Sequence, residues 1–147
     1  MRILRGLLLL LALLPSAMFA QGERAQWLVV VSAQSSVAQL SQKQVMGLFL
    51  GRAKFLPDGD RVKALDHPLE SENRAEFYQA LTGKNISDID AYWARLKYSG
   101  RANPPVPIES SEQIIQLLSR EAGIIAYLPA TYSAVLKERG ITPVLSI

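Results

Sequence analysis

The chain contains no cysteine and a single histidine, and its charge is not dominated by one sign. The missing thiols exclude disulfides and thiolate metal sites. His67 stands without a neighbouring set of ligands, which argues against a metal centre. With one histidine, no cysteine, no Gly-x-Ser-x-Gly turn and no Gly-rich phosphate loop, the sequence assembles neither a nucleophile with its base nor a nucleotide cradle. An enzyme is therefore not expected, and no cofactor is implied. Sixteen basic residues face thirteen acidic ones, and two of the bases, Arg2 and Arg5, lie in the first twenty residues. The remainder is nearly neutral and carries no basic block of the kind that tracks a phosphate backbone, so nucleic acid is excluded as a partner. Beyond the N-terminus no apolar run is long enough to cross a membrane.

The one long apolar run is Leu7 to Leu14. It follows Arg2 and Arg5 and gives way to Pro15-Ser16-Ala17-Met18-Phe19-Ala20, which ends on a small residue. This is the pattern of a secretory signal peptide over residues 1–20, and it places the mature chain, 21–147, in the periplasm. The run is shorter than the roughly 20 residues a spanning helix needs, so the protein is not membrane-embedded once the leader is cleaved. What remains is the size of one domain with one core.

Trp27-Leu28-Val29-Val30-Val31 is a continuous apolar, β-branched run that suits a strand buried on both faces, central in its sheet. Ser41 with Gln44 forms a capping box for a helix bearing Val45, Leu48 and Phe49, and Gly51 ends it. Pro57-Asp58-Gly59-Asp60 is a turn leading into a strand from Val62 to Asp66. From Ser71, the residues Phe77, Tyr78 and Leu81 recur at helical spacing until Thr82-Gly83. Ser87 is the expected cap of a third helix carrying Ile89, Tyr92, Trp93 and Leu96. Tyr98 to Pro105 contains two prolines and reads as a surface crossover. Ser110 and Gln113 form a second capping box ahead of Ile114, Ile115, Leu117 and Leu118. Strand Ile124 to Leu128, a helix from Tyr132 to Arg139 and a strand from Ile141 to Leu145 complete the chain. Alternating helices and strands without repeats predict an α/β domain with a mostly parallel central sheet and helices on both faces.

The junction between the second strand and the second helix is the place where chemistry is expected. Ser71 is a good N-cap, and the unpaired amides of the first turn, its hydroxyl and Arg74 can together coordinate a small oxyanion. Each residue also has a plain structural role. Ser71 caps whether or not a ligand exists, Glu70 and Glu72 complement the helix macrodipole, and Arg74 either reaches the anion or pairs with Glu70 or Asp66. Ser32, Ser35 and Ser36 follow the first strand at its carboxyl end, where open α/β sheets usually bind ligands. Tyr92, Trp93 and Tyr98 read as packing residues, and Lys97 and Arg101 as solvating groups on their loop.

Several segments in order carry a family resemblance: Val29-Val30-Val31-Ser32, Leu40-Ser41 through Gly51, Phe55 through Gly59, Ser71 through Phe77, Tyr92 through Leu96 with Ser99-Gly100-Arg101, Pro104-Pro105, and Gly123 through Tyr127. The chain resembles the small phosphate-binding-like proteins related to the periplasmic receptors of phosphate ABC transporters. The resemblance implies a single lobe of the type II periplasmic-binding-protein fold. It implies a non-catalytic solute-binding protein, with phosphate or a similar oxyanion as ligand and an ABC permease as a possible partner. In the receptors an arginine, three residues, then Ser-Gly-Thr opens the helix and holds the anion. On this sequence Ser71 matches the serine, Glu72 stands at the glycine, Asn73 at the threonine and His67 at the arginine. The binding set implied is Ser71, Asn73, Arg74, Ser32 and His67. The departures at His67 and Glu72 support the other reading, a ligand-free interaction or adaptor module of the cell envelope that meets an envelope protein or a second copy of itself.

Overall fold

The computed structural model describes residues 26–147; the leader and its cleavage point lie outside the described residues. In chain order the elements are β1 (Trp27–Val31), α1 (Gln42–Phe49), β2 (Lys63–Asp66), α2 (Glu72–Thr82), α3 (Ile86–Tyr98), β3 (Val106–Pro107), α4 (Ser111–Arg120), β4 (Ile124–Pro129), a 3₁₀ turn (Ala130–Tyr132), α5 (Ser133–Glu138) and β5 (Pro143–Ser146).

All five residues of β1 are buried, as its unbroken apolar run requires, and it lies inside a five-stranded sheet of order β3-β2-β4-β1-β5. β2 runs parallel to β3 and to β4, whereas β1 runs antiparallel to both β4 and β5. Four strands therefore share one direction and β1 alone opposes them. The period of two along β1 divides the core. Trp27, Val29 and Val31 join Phe49, Phe77, Tyr78 and Trp93 from α1, α2 and α3 on one face, and Leu28 and Val30 join Ile114, Leu118 and Leu136 from α4 and α5 on the other. Helices cover both faces of the sheet.

Several local expectations hold and others shift. Ser41 makes the full capping box with Gln44. At α4, Ser110 accepts the Gln113 amide without the reciprocal side-chain bond. The cap of α3 is Asn85, which accepts from the Asp88 amide at 2.9 Å, and not Ser87. Asn and Ser cap about equally well, and the choice falls to Asn85 because α2 has already stopped at Gly83, left-handed at φ 72°. An earlier start also adds Ile86 to the apolar side of α3, where it packs against the core. The crossover after α3 contributes the two-residue strand β3, too short to show a period. Gly123 is required by contact as well as by conformation. At φ +72° a Cβ there would stand 2.3 Å from the Arg61 carbonyl oxygen, the close approach that lets its own carbonyl accept the Lys63 amide at 2.8 Å.

Candidate functional site

β2 ends on Asp66, which is 2% exposed. Burying a carboxylate is costly unless it is hydrogen-bonded and paired, and Asp66 is both. Oδ1 accepts the His67 amide at 2.9 Å and the Tyr127 hydroxyl, while Oδ2 accepts Arg74 Nε at 3.0 Å and the Tyr78 hydroxyl at 3.2 Å. The Tyr127 ring stacks on Phe77 at 3.5 Å between centroids, which fixes its hydroxyl over the carboxylate. Burial, then the Asp66 charge, push the ionisation of both Tyr78 and Tyr127 upward, so each stays a neutral donor.

Arg74 is 3% exposed. Nε is on Asp66, Nη1 donates to the Leu69 carbonyl at 3.2 Å, and Nη2 donates to Asp90 Oδ1 at 2.8 Å. Burial works against its charge, but the Asp90 hydrogen bond and the Asp66 charge outweigh it and hold the guanidinium above its ordinary pKa. The side chain thus ties the end of β2, the loop before α2 and the second turn of α3 into one unit. His67 is buried with Nε2 at 3.0 Å from the Tyr127 carbonyl. A carbonyl only accepts, so Nε2 carries the proton. Burial pushes its pKa down against the opposing pull of that carbonyl and of Asp66, and near neutral pH the ring is an uncharged strut.

Above this network the start of α2 faces outward. The Ser71 hydroxyl accepts the Arg74 amide at 3.2 Å, and the Ser71 amide donates to the Pro68 carbonyl at 2.9 Å. Ser71 and Asn73 are half-buried, Glu70 and Glu72 are exposed, and Leu69 stands 60% exposed beside them. The two glutamates make no ion pair among the described residues. Among the described residues the polar network beneath the helix start holds no uncommitted cation, because the Arg74 charge is balanced by Asp66 and Asp90. A carboxylate some 4 Å from a bound anion opposes it by about 1 kcal/mol in water and about 4 kcal/mol at an effective dielectric near 20.

Four of the five sequence-derived residues, His67, Ser71, Asn73 and Arg74, gather at this end of the sheet. Ser32 does not. Its hydroxyl accepts the Ile124 amide at 2.8 Å, and Ile124 pairs with Lys63 at the opposite end of β2. The reason is the direction of β1: its carboxyl end lies at the amino ends of β2 and β4, so the rule that places ligands at strand carboxyl ends does not carry from a parallel strand to this one. Sequence reasoning missed Asp90, Tyr78 and Tyr127 as partners. Tyr78 had a signal, since it follows Arg74 by one helical turn, whereas Tyr127 reaches Asp66 only through strand register. Among the described residues no group of three His, Asp or Glu side chains is arranged to hold a metal ion.

No protein-family model matches the chain, and comparison with curated proteins gives no match. Solved structures do match in fold. PstS from Borrelia burgdorferi aligns with TM-score 0.60 at 13% identity over 80% of this chain and 46% of its own. A protein described as a phosphate ABC transporter substrate-binding protein from Clostridium perfringens, with bound phosphate, gives 0.60 at 13% over 82% and 44%. An ABC-type phosphate transport receptor from Vibrio cholerae gives 0.61 at 14% over 82% and 45%. The chain spans less than half the length of these structures. At such identities the likeness is one of fold.

Proposed function

From the premise of a receptor-type lobe, we propose that the protein is a non-enzymatic binding module, exported to the cell envelope as a single domain after loss of residues 1–20, and that the start of α2 contacts another protein rather than a free oxyanion. The observation that carries this reading is the commitment of Arg74 to Asp66 and Asp90. With that charge balanced, Glu70 and Glu72 make the surface above it acidic, and the exposed Leu69 adds an apolar side chain that a small anion does not use. The complementary partner surface is apolar with a basic rim, on an envelope protein. The reading as a binding module rather than an enzyme is supported by His67, whose Nε2 faces a backbone carbonyl instead of a hydroxyl nucleophile.

A photo-crosslinking residue at position 69 of the exported chain tests this. A discrete protein adduct is expected from position 69 and none from position 137 on α5, with Glu72→Lys abolishing it. No adduct from position 69, or one insensitive to Glu72→Lys, overturns the reading.

The second reading, weak oxyanion binding by Ser71 and Asn73 with Arg74 and His67 supporting them from beneath, is favoured by one observation. The helix-start amides of Glu72 and Asn73 make no intramolecular hydrogen bond among the described residues, and such amides attract anions. Phosphate or sulfate binding seen calorimetrically and lost in Ser71→Ala would favour it, and would link the lobe to phosphate ABC transport.

A further inference from the structure

At the end of the sheet opposite Ser71, the loop after α1, the start of β2, the C-terminal part of α3 and the crossover into β3 border a half-open cleft of 340 Å³. Its construction follows from local pairings. The Val62 amide donates to the Lys54 carbonyl at 2.9 Å and Phe55 bridges Arg61, which brings both arms of the Pro57–Asp60 turn to one side. Gly51, left-handed at φ +69°, lies against the Trp93 ring so closely that a Cβ would stand 2.8 Å from Cη2. That contact sets the indole as a wall.

The lining has two characters. Lys54, Arg61, Lys63 and Arg101 line the cleft and are exposed, and among the described residues no acidic side chain lines it. Lys63 is 3.4 Å from Glu121 in a half-exposed pair, and the other three have no carboxylate within ion-pair distance among the described residues. A pair of that exposure contributes little, so four like charges lining one cleft favour an anion there over a cation. The rest of the lining includes Leu48, Trp93, Pro104 and Pro105, with the polar side chain of Asn103 among them. Trp93 is 5% exposed and its indole N–H finds no acceptor among the described residues. A cavity of this size is in the range that takes small organic ligands, above what inorganic phosphate fills.

We propose that this cleft binds a small organic dianion with an apolar body, such as an aryl phosphate or an aromatic dicarboxylate, its charges on Lys54, Arg61 and Arg101 and its body against Trp93. The site is distinct from the α2 contact and stands without it.

Calorimetric titration of the exported chain with phenyl phosphate, inorganic phosphate and phenol tests the proposal. Phenyl phosphate should bind saturably, about tenfold or more tighter than either half alone, and weaken by about tenfold in the Lys54→Gln/Arg101→Gln double variant. Both residues are on the surface, so the double variant keeps its fold, checked by its melting curve. Raising the salt concentration should weaken binding further, and Leu69 or Glu72 variants should leave it unchanged. No saturable heat with phenyl phosphate up to about 5 mM overturns the proposal. So does equal affinity for inorganic phosphate, or unchanged binding in the double variant.

Discussion

At the residue scale the molecule is organised around Asp66, which takes four donors into a dry place. A buried ion pair is a poor source of net stability but a strong liability when halved, since the surviving charge has lost its counterpart. Asp66→Leu strands Arg74 against Asp90 alone and leaves two tyrosine O–H donors without their acceptor, so it should cost about 3–5 kcal/mol in urea unfolding. Arg74→Leu should cost a similar amount, and the double substitution should cost clearly less than the sum of the two. Additive losses would show that the two side chains do not act as a unit. His67 gives a pH dependence with a definite sign. Its folded pKa lies below the ordinary 6.5, so the unfolded state takes up the proton first and stability falls as pH drops through and below about 6.5. Above that pH the term is constant. Unfolding midpoints should therefore decline from pH 7.5 to 5.5, and His67→Gln should flatten the decline; an equal slope in the variant would contradict this origin.

At the element scale, caps and strand direction decide what sequence pattern alone left open. The boundaries of α1, α2 and α4 were legible because Ser41, Ser71 and Ser110 each precede a stripe of apolar residues, and the side chains cap as their chemistry requires. The cap of α3 was not, since Asn85 and Ser87 are equivalent by chemistry and only the early stop of α2 at Gly83 separates them. Asn85→Ala should lower stability by about 1 kcal/mol in urea unfolding, and Ser87→Ala should change it by less than about 0.5 kcal/mol; the reverse order would return the cap to Ser87. Strand direction was equally hidden. β1 reads as buried and central from its composition, but nothing in five consecutive apolar residues says that it opposes its neighbours, and for that reason Ser32 lies at the end of the sheet away from Ser71. Gly123→Ala tests the close approach of β2 and β4. A Cβ would overlap the Arg61 carbonyl, and a loss of several kcal/mol is expected where a glycine-to-alanine change in an unstrained position would stabilise by about 0.4–1 kcal/mol.

At the scale of the whole molecule, the lobe has two chemically different ends. The carboxyl ends of β2 and β4 lead to an acidic, internally balanced helix start with an exposed leucine. The amino ends of β2 and β3 border a basic cleft with a tryptophan wall. The α/β class was legible from alternation and periodicity, and the single-lobe architecture from the resemblance carried by the ordered segments. Of the candidate residues, the gathering of His67, Ser71, Asn73 and Arg74 at the strand-to-helix junction was legible from their spacing, but the state of Arg74 was not, because its partners Asp66 and Asp90 come from two other elements and meet only in the folded chain. Amide NMR of the exported chain during titration with phosphate reports that state directly at Glu72, Asn73 and Arg74. With the guanidinium balanced by two carboxylates, those three amide signals should show no saturating shift below about 10 mM phosphate, whereas saturating shifts at micromolar phosphate that vanish in Ser71→Ala would show an intact oxyanion site and contradict it.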